Sequence, residues 1–192
     1  MAILVRPDAT HQISWLECAA DFHGARRNGS SREDRPLEEL KDRGIFRQFV
    51  AELLADALPG TPREPGLVPC TYLWIAEGKT IVGSLAIRHE LNDFLLNEGG
   101  HIGYSVRPSA RRRGHAAQAL SNAVPVARAL KIPSLLLTCD EDNAGSRATI
   151  ERNGGILEDI RRGKRRYWIA TDRSRTPDLR AGAGDVFSGG AR

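Results

Sequence analysis

The segment from His101 to Ala117 constrains the fold of this chain more than any other. Within it, Ile102, Tyr104 and Val106 alternate with smaller residues, which is typical of a β-strand. A proline follows the strand directly, and from Gly114 onward apolar residues recur at helical spacing. The sequence therefore predicts a strand that passes through a short turn into a helix.

The remaining segments continue this alternation of strands and helices. We predict strands at Ala2–Val5, Tyr72–Ala76, Thr80–Arg88, His101–Val106, Ser134–Cys139, Ile156–Ile160 and Arg165–Ala170. We predict helices at Thr10–Phe22, from Pro36, from Gly114 and at Asn143–Asn153. We expect one domain over residues 1–170 and a disordered tail over residues 171–192, because the tail is rich in glycine and polar residues and lacks periodicity.

Composition and spacing exclude several classes of protein. The longest apolar runs are too short to cross a membrane, and the first residues lack the pattern of a signal peptide, so we expect a cytoplasmic protein. Cys18, Cys70 and Cys139 lie far apart, and the five histidines show no ligand spacing, so we expect no metal site. The net charge of +4 suits an anionic ligand but does not by itself indicate a nucleic acid partner.

The turn between the strand and the helix at the centre of the chain reads Arg-Arg-Arg-Gly-His-Ala over residues 111–116. The start of a helix carries unpaired N–H groups and a partial positive charge, so it attracts phosphate. Gly114 lacks a Cβ, and Ala116 and Ala117 keep the turn narrow, so that the backbone can approach a bulky anion. The sequence therefore predicts a phosphate-binding turn, whereas a solvated basic run would not require the small residues.

This turn resembles the signature of the GNAT superfamily of N-acetyltransferases, which is Arg or Gln, two residues, Gly, one residue, and then Gly or Ala. The strand before it, with Pro108 directly after it, resembles the family's fourth strand. A later segment resembles the family's Asn-to-Gly-Phe segment and matches it at Asn143, Ser146, Glu151 and Gly154. The resemblance extends over about residues 1–170.

The resemblance implies an α/β (α+β) fold, in which helices flank both faces of a mixed, mostly antiparallel central sheet of six to seven strands. It implies an enzyme that transfers an acetyl group from acetyl-coenzyme A (acetyl-CoA) to a primary amine by direct attack on the thioester, without a metal. The acceptor would be an amine-bearing small molecule or a peptide. We expect a monomer or a homodimer, with no membrane partner and no nucleic acid partner.

The resemblance also implies which residues bind the cofactor. Backbone N–H groups from Arg112 to Ala117 would hold the pyrophosphate, and an arginine of the triplet would reach the ribose phosphate. The pantetheine arm would lie along the strand, with the N–H of Val106 facing the thioester oxygen. Asn143 would bond to the arm or would only cap its helix. The implied set is Tyr104, Ser105, Val106, Arg111, Arg112, Arg113, Gly114, His115, Ala116, Ala117, Asn143 and Ser146.

Three side chains are candidates for the base that removes a proton from the amine. His101 comes first because an imidazole titrates near neutrality, and Glu98 and Glu90 come next. His101 alternates away from Tyr104 and Val106 along the strand, so it is also interpreted as a packed strand residue.

The chain departs from the family at two positions. Ile150 stands where many members carry a tyrosine acid, so the leaving thiolate would be protonated by Tyr104, by Tyr167 or by water. Gly155 stands where the family often has phenylalanine, so packing there must come from elsewhere.

The surroundings of the acceptor leave several possibilities open. Glu90, Asp93 and Glu98 lie in the loop from His89 to Gly100 and would favour a cationic amine, and the loop from Gly24 to Pro36 would form the other wall. One alternative function is a non-catalytic acyl-CoA sensor or interaction module, suggested by Ile150. Another is an RNA-binding protein that uses the basic run at residues 161–166, which is also interpreted as a solvated hairpin tip.

Overall fold

The computed structural model describes residues 1–30 and 35–172, so the predicted tail lies outside the described residues from position 173 onward. Thr171, which we expected in the tail, is buried at 5% exposure. Its N–H donates to the carbonyl of Pro133 at 3.1 Å, and its hydroxyl donates to the carbonyl of Ile132 at 2.6 Å. The packed part of the chain therefore includes this residue.

Seven strands and four α-helices alternate along the described chain. The strands are β1 (Ala2–Val5), β2 (Cys70–Glu77), β3 (Thr80–Arg88), β4 (Ile102–Val106), β5 (Ser134–Asp140), β6 (Ile156–Arg161) and β7 (Lys164–Ala170). The helices are α1 (Gln12–Ala20), α2 (Arg43–Ala55), α3 (His115–Ala129) and α4 (Ala144–Arg152). A π-helical turn lies at Leu95–Gly99, and none of the described helices is long and apolar enough to span a membrane.

The strands form two sheets, and every pairing that the structure describes is antiparallel. One sheet has the order β1-β2-β3-β4, and the other has the order β5-β7-β6. The two sheets meet where β4 begins: the N–H of His101 donates to the carbonyl of Leu136 at 2.7 Å. The seven strands agree with the six to seven that we expected. Because the strands divide into two sheets, one edge of β4 has no neighbouring strand beyond this contact.

Helices pack on both faces, as expected, and each face has its own apolar core. On one face α3 and α4 pack on the strands in a core that includes Ile75, Leu85, Leu120 and Leu135. On the other face α1 and α2 contribute Trp15, Phe46 and Phe49 to an aromatic cluster with Trp74 of β2, in which neighbouring ring centroids lie 5.0 to 6.2 Å apart.

The helix that we predicted from Pro36 begins later, at Arg43. A 3-10 turn at Glu39–Lys41 comes first, and Asp42 then ends it in an extended conformation. The Asp42 carboxylate accepts the N–H of Gly44 at 2.7 Å and that of Ile45 at 2.9 Å. An aspartate that satisfies these otherwise unpaired donors determines where the helix starts.

Two glycines bring the loop after α1 against β4. Gly29 has φ +80°, and a Cβ built on it would lie 2.2 Å from the carbonyl oxygen of Gly103. The contact holds this loop against β4. The predicted wall for the acceptor stays a prediction, and residues 31–34 of that loop lie outside the described part.

Replacing Gly29 with alanine tests this close approach, and Gly24 supplies a matched control. Gly24 lies in the same loop with φ +81°, but a Cβ there meets nothing within 4 Å. We expect Gly24→Ala to lower the free energy of unfolding by about 1 kcal/mol from backbone strain alone. Gly29→Ala should lower it by roughly 2 kcal/mol more, because the β4 backbone must also move. Equal losses in urea unfolding would contradict the close contact.

Candidate functional site

A cleft of about 640 Å³ opens between the free edge of β4 and the first turns of α3 and α4. Most of the residues implied by the sequence line it. They are Tyr104, Ser105, Val106, Arg111, Arg112, Gly114, His115, Ala116, Ala117, Asn143 and Ser146. The loop after α1 contributes Phe22, Arg26 and Asn28.

The first turn of α3 presents open backbone donors to this cleft. The N–H of Gln118 makes a helical hydrogen bond with the carbonyl of Gly114 at 3.0 Å, and no described side chain caps the helix. The N–H groups of His115, Ala116 and Ala117 precede that bond and have no partner within the helix. Three consecutive donors at a positive helix end can bind an anion.

Backbone conformation explains why a glycine precedes this helix. Gly114 has φ +82°, and Arg112 before it has φ +60°. A Cβ on Gly114 would meet no protein atom within 4 Å, and the left-handed conformation by itself favours glycine here. The predicted space for an anion stays a prediction.

An aspartate directly after α1 holds the segment that leads into this turn. One oxygen of the Asp21 carboxylate accepts from Arg107 Nε at 3.0 Å, from the Ser109 N–H at 3.0 Å and from the Ser109 hydroxyl at 2.6 Å. These hydrogen bonds, from Ser109 above all, hold the pKa of Asp21 well below its usual range. The segment before α3 is therefore fixed by a residue that does not line the cleft.

The backbone of β4 has polar groups on the side that faces the cleft. The N–H of Arg107 donates to Val82 and the N–H of Arg88 donates to His101, both at 2.8 Å. Because hydrogen-bonded positions alternate along an antiparallel strand, the odd-numbered residues of β4 bond to β3. The N–H and carbonyl groups of Tyr104 and Val106 therefore point to the open edge.

The side chain of Tyr104 crosses the cleft to α4. Its hydroxyl lies 2.8 Å from the Ser146 hydroxyl. Asn143 caps α4 by accepting the N–H of Ser146 at 3.0 Å, which is the local role that we considered for it. Burial raises the pKa of Tyr104, with hydrogen bonds from Ser146 and Thr149 acting in the opposite direction. The hydroxyl therefore holds its proton at neutral pH.

The two departures from the family pattern lie against each other. Ile150 is fully buried, and a Cβ on Gly155 would lie 2.4 Å from its Cγ2. The aliphatic side chain thus occupies space that a larger residue at position 155 would need. Tyr167, the other tyrosine considered as an acid, donates to Glu151 at 3.0 Å and does not line the cleft.

The arginines of the triplet have three different environments. Arg113 is directed away from the cleft and pairs with Glu77 at 2.8 Å. Arg111 lines the cleft, and its Nε donates to the carbonyl of Val106 at 3.1 Å. Arg112 is exposed at the cleft and is the member of the triplet best placed to meet a ligand.

Sequence reasoning missed Arg26 and Arg152, which also line the cleft. Helical spacing could have indicated Arg152. Gly145, Ala148 and Thr149 line the cleft from one face of the helix, and the next turn places residue 152 on the same face. No sequence pattern indicated Arg26, because it lies in a loop whose path depends on the contact between Gly29 and Gly103.

His101, our first candidate for the base, is not in the cleft. Its ring is 7% exposed, and its Nδ1 accepts the N–H of Leu136 at 2.9 Å. Burial, aided by the charge of Arg88, lowers the pKa of His101 to about 4. The ring joins the two sheets in its neutral form, so the expected catalytic position is corrected to a structural one.

The acidic loop also lies apart from the cleft. Glu98 pairs with Arg162 at 3.1 Å, and its carbonyl accepts the hydroxyl of Thr138 at 2.5 Å. Neither Glu90 nor Asp93 lines the cleft. The acidic side chains that we expected around the acceptor therefore do not line this cleft.

The basic run at the β6–β7 hairpin is largely neutralised. Arg161 pairs with Asp159 at 2.8 Å, and Lys164 pairs with Asp140. The buried Arg166 contacts both Glu158 and Asp159, at 3.0 and 2.8 Å. This environment supports the interpretation as a charged hairpin and does not favour an RNA-binding surface. Within residues 1–30 and 35–172, no cluster of three or more His, Cys, Asp or Glu side chains could hold a metal ion.

The buried neutral ring of His101 predicts a specific acid sensitivity. The unfolded chain binds a proton there near pH 6.5, whereas the folded chain binds it near pH 4. Stability should therefore be lost as the pH falls from about 6.5 to 4, by about 3 kcal/mol from this group. In His101→Asn, the amide oxygen can accept the Leu136 N–H without titrating. Urea unfolding across this range should show a smaller loss in the variant, and identical profiles would contradict the assignment.

Comparison with known proteins bears on this cleft. The family model described as acetyltransferase (GNAT) domain matches residues 37–156, more than half of the chain. No significant match is found among curated proteins.

Several solved structures share the fold at low sequence identity. A protein from Vibrio cholerae described as a ribosomal-protein-serine acetyltransferase has a TM-score of 0.58 and 17% identity, covering 88% of this chain and 93% of that one. RimJ from Mycobacterium smegmatis, in complex with CoA-disulfide, has a TM-score of 0.63 and 18% identity, covering 88% and 81%. The microcin C7 self-immunity acetyltransferase MccE, in complex with acetyl-CoA and AMP, has a TM-score of 0.58 and 15% identity, covering 88% and 92%.

The similarity to these solved structures shows the fold. The match to the family model confirms the resemblance that we identified in the sequence, the enzyme class and acetyl-CoA as the donor. The chain belongs to the acetyltransferase (GNAT) domain family.

Proposed function

We propose that this protein is an acetyl-CoA-dependent N-acetyltransferase that acetylates a primary amine by direct attack on the thioester. One observation carries the proposal: the open backbone edge of β4 and the unpaired N–H groups at the start of α3 line the same cleft. The first suits an extended arm with amide groups, and the second suits a diphosphate.

The residues present fit such a donor. The side-chain oxygen of Ser105, a residue that lines the cleft, is buried without a hydrogen-bond partner in the described structure. Buried polar atoms are rarely left in this state, because each lost hydrogen bond costs about 1 to 3 kcal/mol. The exposed guanidinium groups of Arg26, Arg112 and Arg152 add positive charge around the cleft.

Acetyl-CoA supplies the acetyl group as a thioester, and the protein residues supply orientation and proton transfer. The N–H of Val106 would donate to the thioester oxygen as negative charge develops there. The Tyr104 hydroxyl would donate its proton to the leaving sulfur and recover one through Ser146, to which it is hydrogen-bonded. Tyr104 thus takes the role that Ile150 cannot perform.

His101 and Glu98 are left out of this proposal because their side chains are engaged elsewhere. The amine would attack in its neutral form and lose its proton to water. An N-terminal amine has a pKa of about 8 and a lysine amine one of about 10.4, so the first has far more neutral form at pH 7.5. Peptide N-termini are therefore the first acceptor class to test.

The proposal is tested by release of coenzyme A thiol from acetyl-CoA, followed with a thiol-reactive dye. The panel begins with peptides of varied N-terminal residues and includes lysine peptides, polyamines and aminoglycosides. We expect slow release without an amine and faster release with at least one class. Tight coenzyme binding without acceleration by any amine would contradict the proposal and favour the non-catalytic acyl-CoA module.

Tyr104→Phe tests the proposed acid, and Tyr167→Phe is its control. Both remove one part-buried tyrosine hydroxyl, but only Tyr104 lines the cleft. We expect Tyr104→Phe to lower kcat by about 100-fold or more, with coenzyme affinity nearly unchanged. Tyr167→Phe should leave kcat within a few-fold. Equal effects of the two variants would remove Tyr104 from the mechanism.

A further inference from the structure

The side chain of Arg111 connects two parts of the cleft. One part is the donor edge, which consists of the open backbone groups of Tyr104 and the N–H of Val106. The other is the anion turn, which consists of the first N–H groups of α3. Arg111 lies in the segment between them, and its Nε donates to the carbonyl of Val106 at 3.1 Å. This hydrogen bond joins the segment that carries the anion turn to the end of the donor edge.

The guanidinium group of Arg111 is also supported by the aromatic core. Its central carbon lies 6.0 Å from the centroid of the Phe22 ring, and a cation over an aromatic ring is attracted to it. Phe22 is 4% exposed and packs in the same core as Trp15 and Trp74. The arginine is therefore held at two points, by β4 through its Nε and by the core through its planar group.

The position of Arg111 in the segment gives this hydrogen bond its importance. The hydrogen bonds of Asp21 hold the segment as far as Ser109. The backbone then bends twice through left-handed conformations, at Arg112 with φ +60° and at Gly114 with φ +82°. Arg111 stands directly before these bends, so its bond to β4 fixes the place from which the anion turn starts.

We propose that Arg111 is a positioning residue, which sets the anion turn at the spacing from the donor edge that lets one coenzyme A molecule occupy both. The inference rests on the proposed function, which places the diphosphate at the turn and the arm along the edge. A ligand with two linked parts gains from the second contact only when the two sites have a spacing that the linker can span. The side chain would act through the Val106 carbonyl and not through its charge.

Two uncharged substitutions separate the hydrogen bond from the charge. In Arg111→Gln the side-chain nitrogen stands as many bonds from the backbone as the arginine Nε, so it can still donate to Val106. In Arg111→Met a methyl group takes that position and cannot donate. Because both variants lose the charge, the hydrogen bond is the intended difference between them. Isothermal calorimetry should show that Arg111→Gln binds coenzyme A more tightly than Arg111→Met, by about fivefold or more.

A second ligand and a second arginine serve as controls. ADP carries the diphosphate without the arm, so it needs the anion turn but not the spacing to β4. Amide shifts at the start of α3, followed by NMR, should give the two Arg111 variants equal affinities for ADP. Arg63 also donates to a main-chain carbonyl, that of Leu58 at 2.7 Å, but does not line the cleft. Arg63→Met should therefore keep the wild-type affinity for coenzyme A.

The outcomes separate this inference from the proposed function. Equal affinities of the two Arg111 variants for coenzyme A would overturn the positioning role and leave the cofactor site intact. A difference between them that is as large for ADP as for coenzyme A would also overturn it, because the effect would then be confined to the turn. No binding of either ligand to the wild-type protein would instead contradict the proposed function.

Discussion

The separation of β4 from β5 is the constraint on which the rest of the structure depends. The two strands are joined at one end, where His101 bonds to both the N–H and the carbonyl of Leu136. Beyond it, β4 bonds to β3 through its odd-numbered residues. The backbone groups of Tyr104 and the N–H of Val106 face the cleft without a strand partner, whereas the Val106 carbonyl accepts from Arg111. An unpaired edge inside a fold is costly unless something completes it. A ligand with its own amide groups would complete it.

Two contacts fix segments that border the cleft. Asp21 fixes the segment that leads into α3, and the approach of Gly29 to Gly103 fixes the loop after α1. Both contacts come from the region around α1. A rigid turn loses little freedom when it binds an anion, so the binding energy is not spent on ordering the protein. The same rigidity positions the Val106 N–H before any substrate arrives.

The pattern of residues along the sequence predicted those parts of the site that neighbouring residues form among themselves. The strand, the turn and the helix over residues 101–117 were readable from periodicity, as was the capping role of Asn143. The prediction failed for His101 because its burial depends on Leu136, which is distant in sequence and joins it only when the two sheets meet. The sequence does not distinguish Arg112 from Arg113. In the structure, the carboxylate of Glu77 from β2 pairs with Arg113, so that only Arg113 is directed away from the cleft.

The central claim is that backbone amides at the start of α3 and along β4 hold the coenzyme. Amide resonances of nitrogen-labelled protein, followed by NMR during titration with coenzyme A, test it most directly. We expect the largest shifts at His115, Ala116 and Val106, with Lys164 in the hairpin unchanged. Shifts centred on the hairpin or on the acidic loop, with the start of α3 unmoved, would contradict the account.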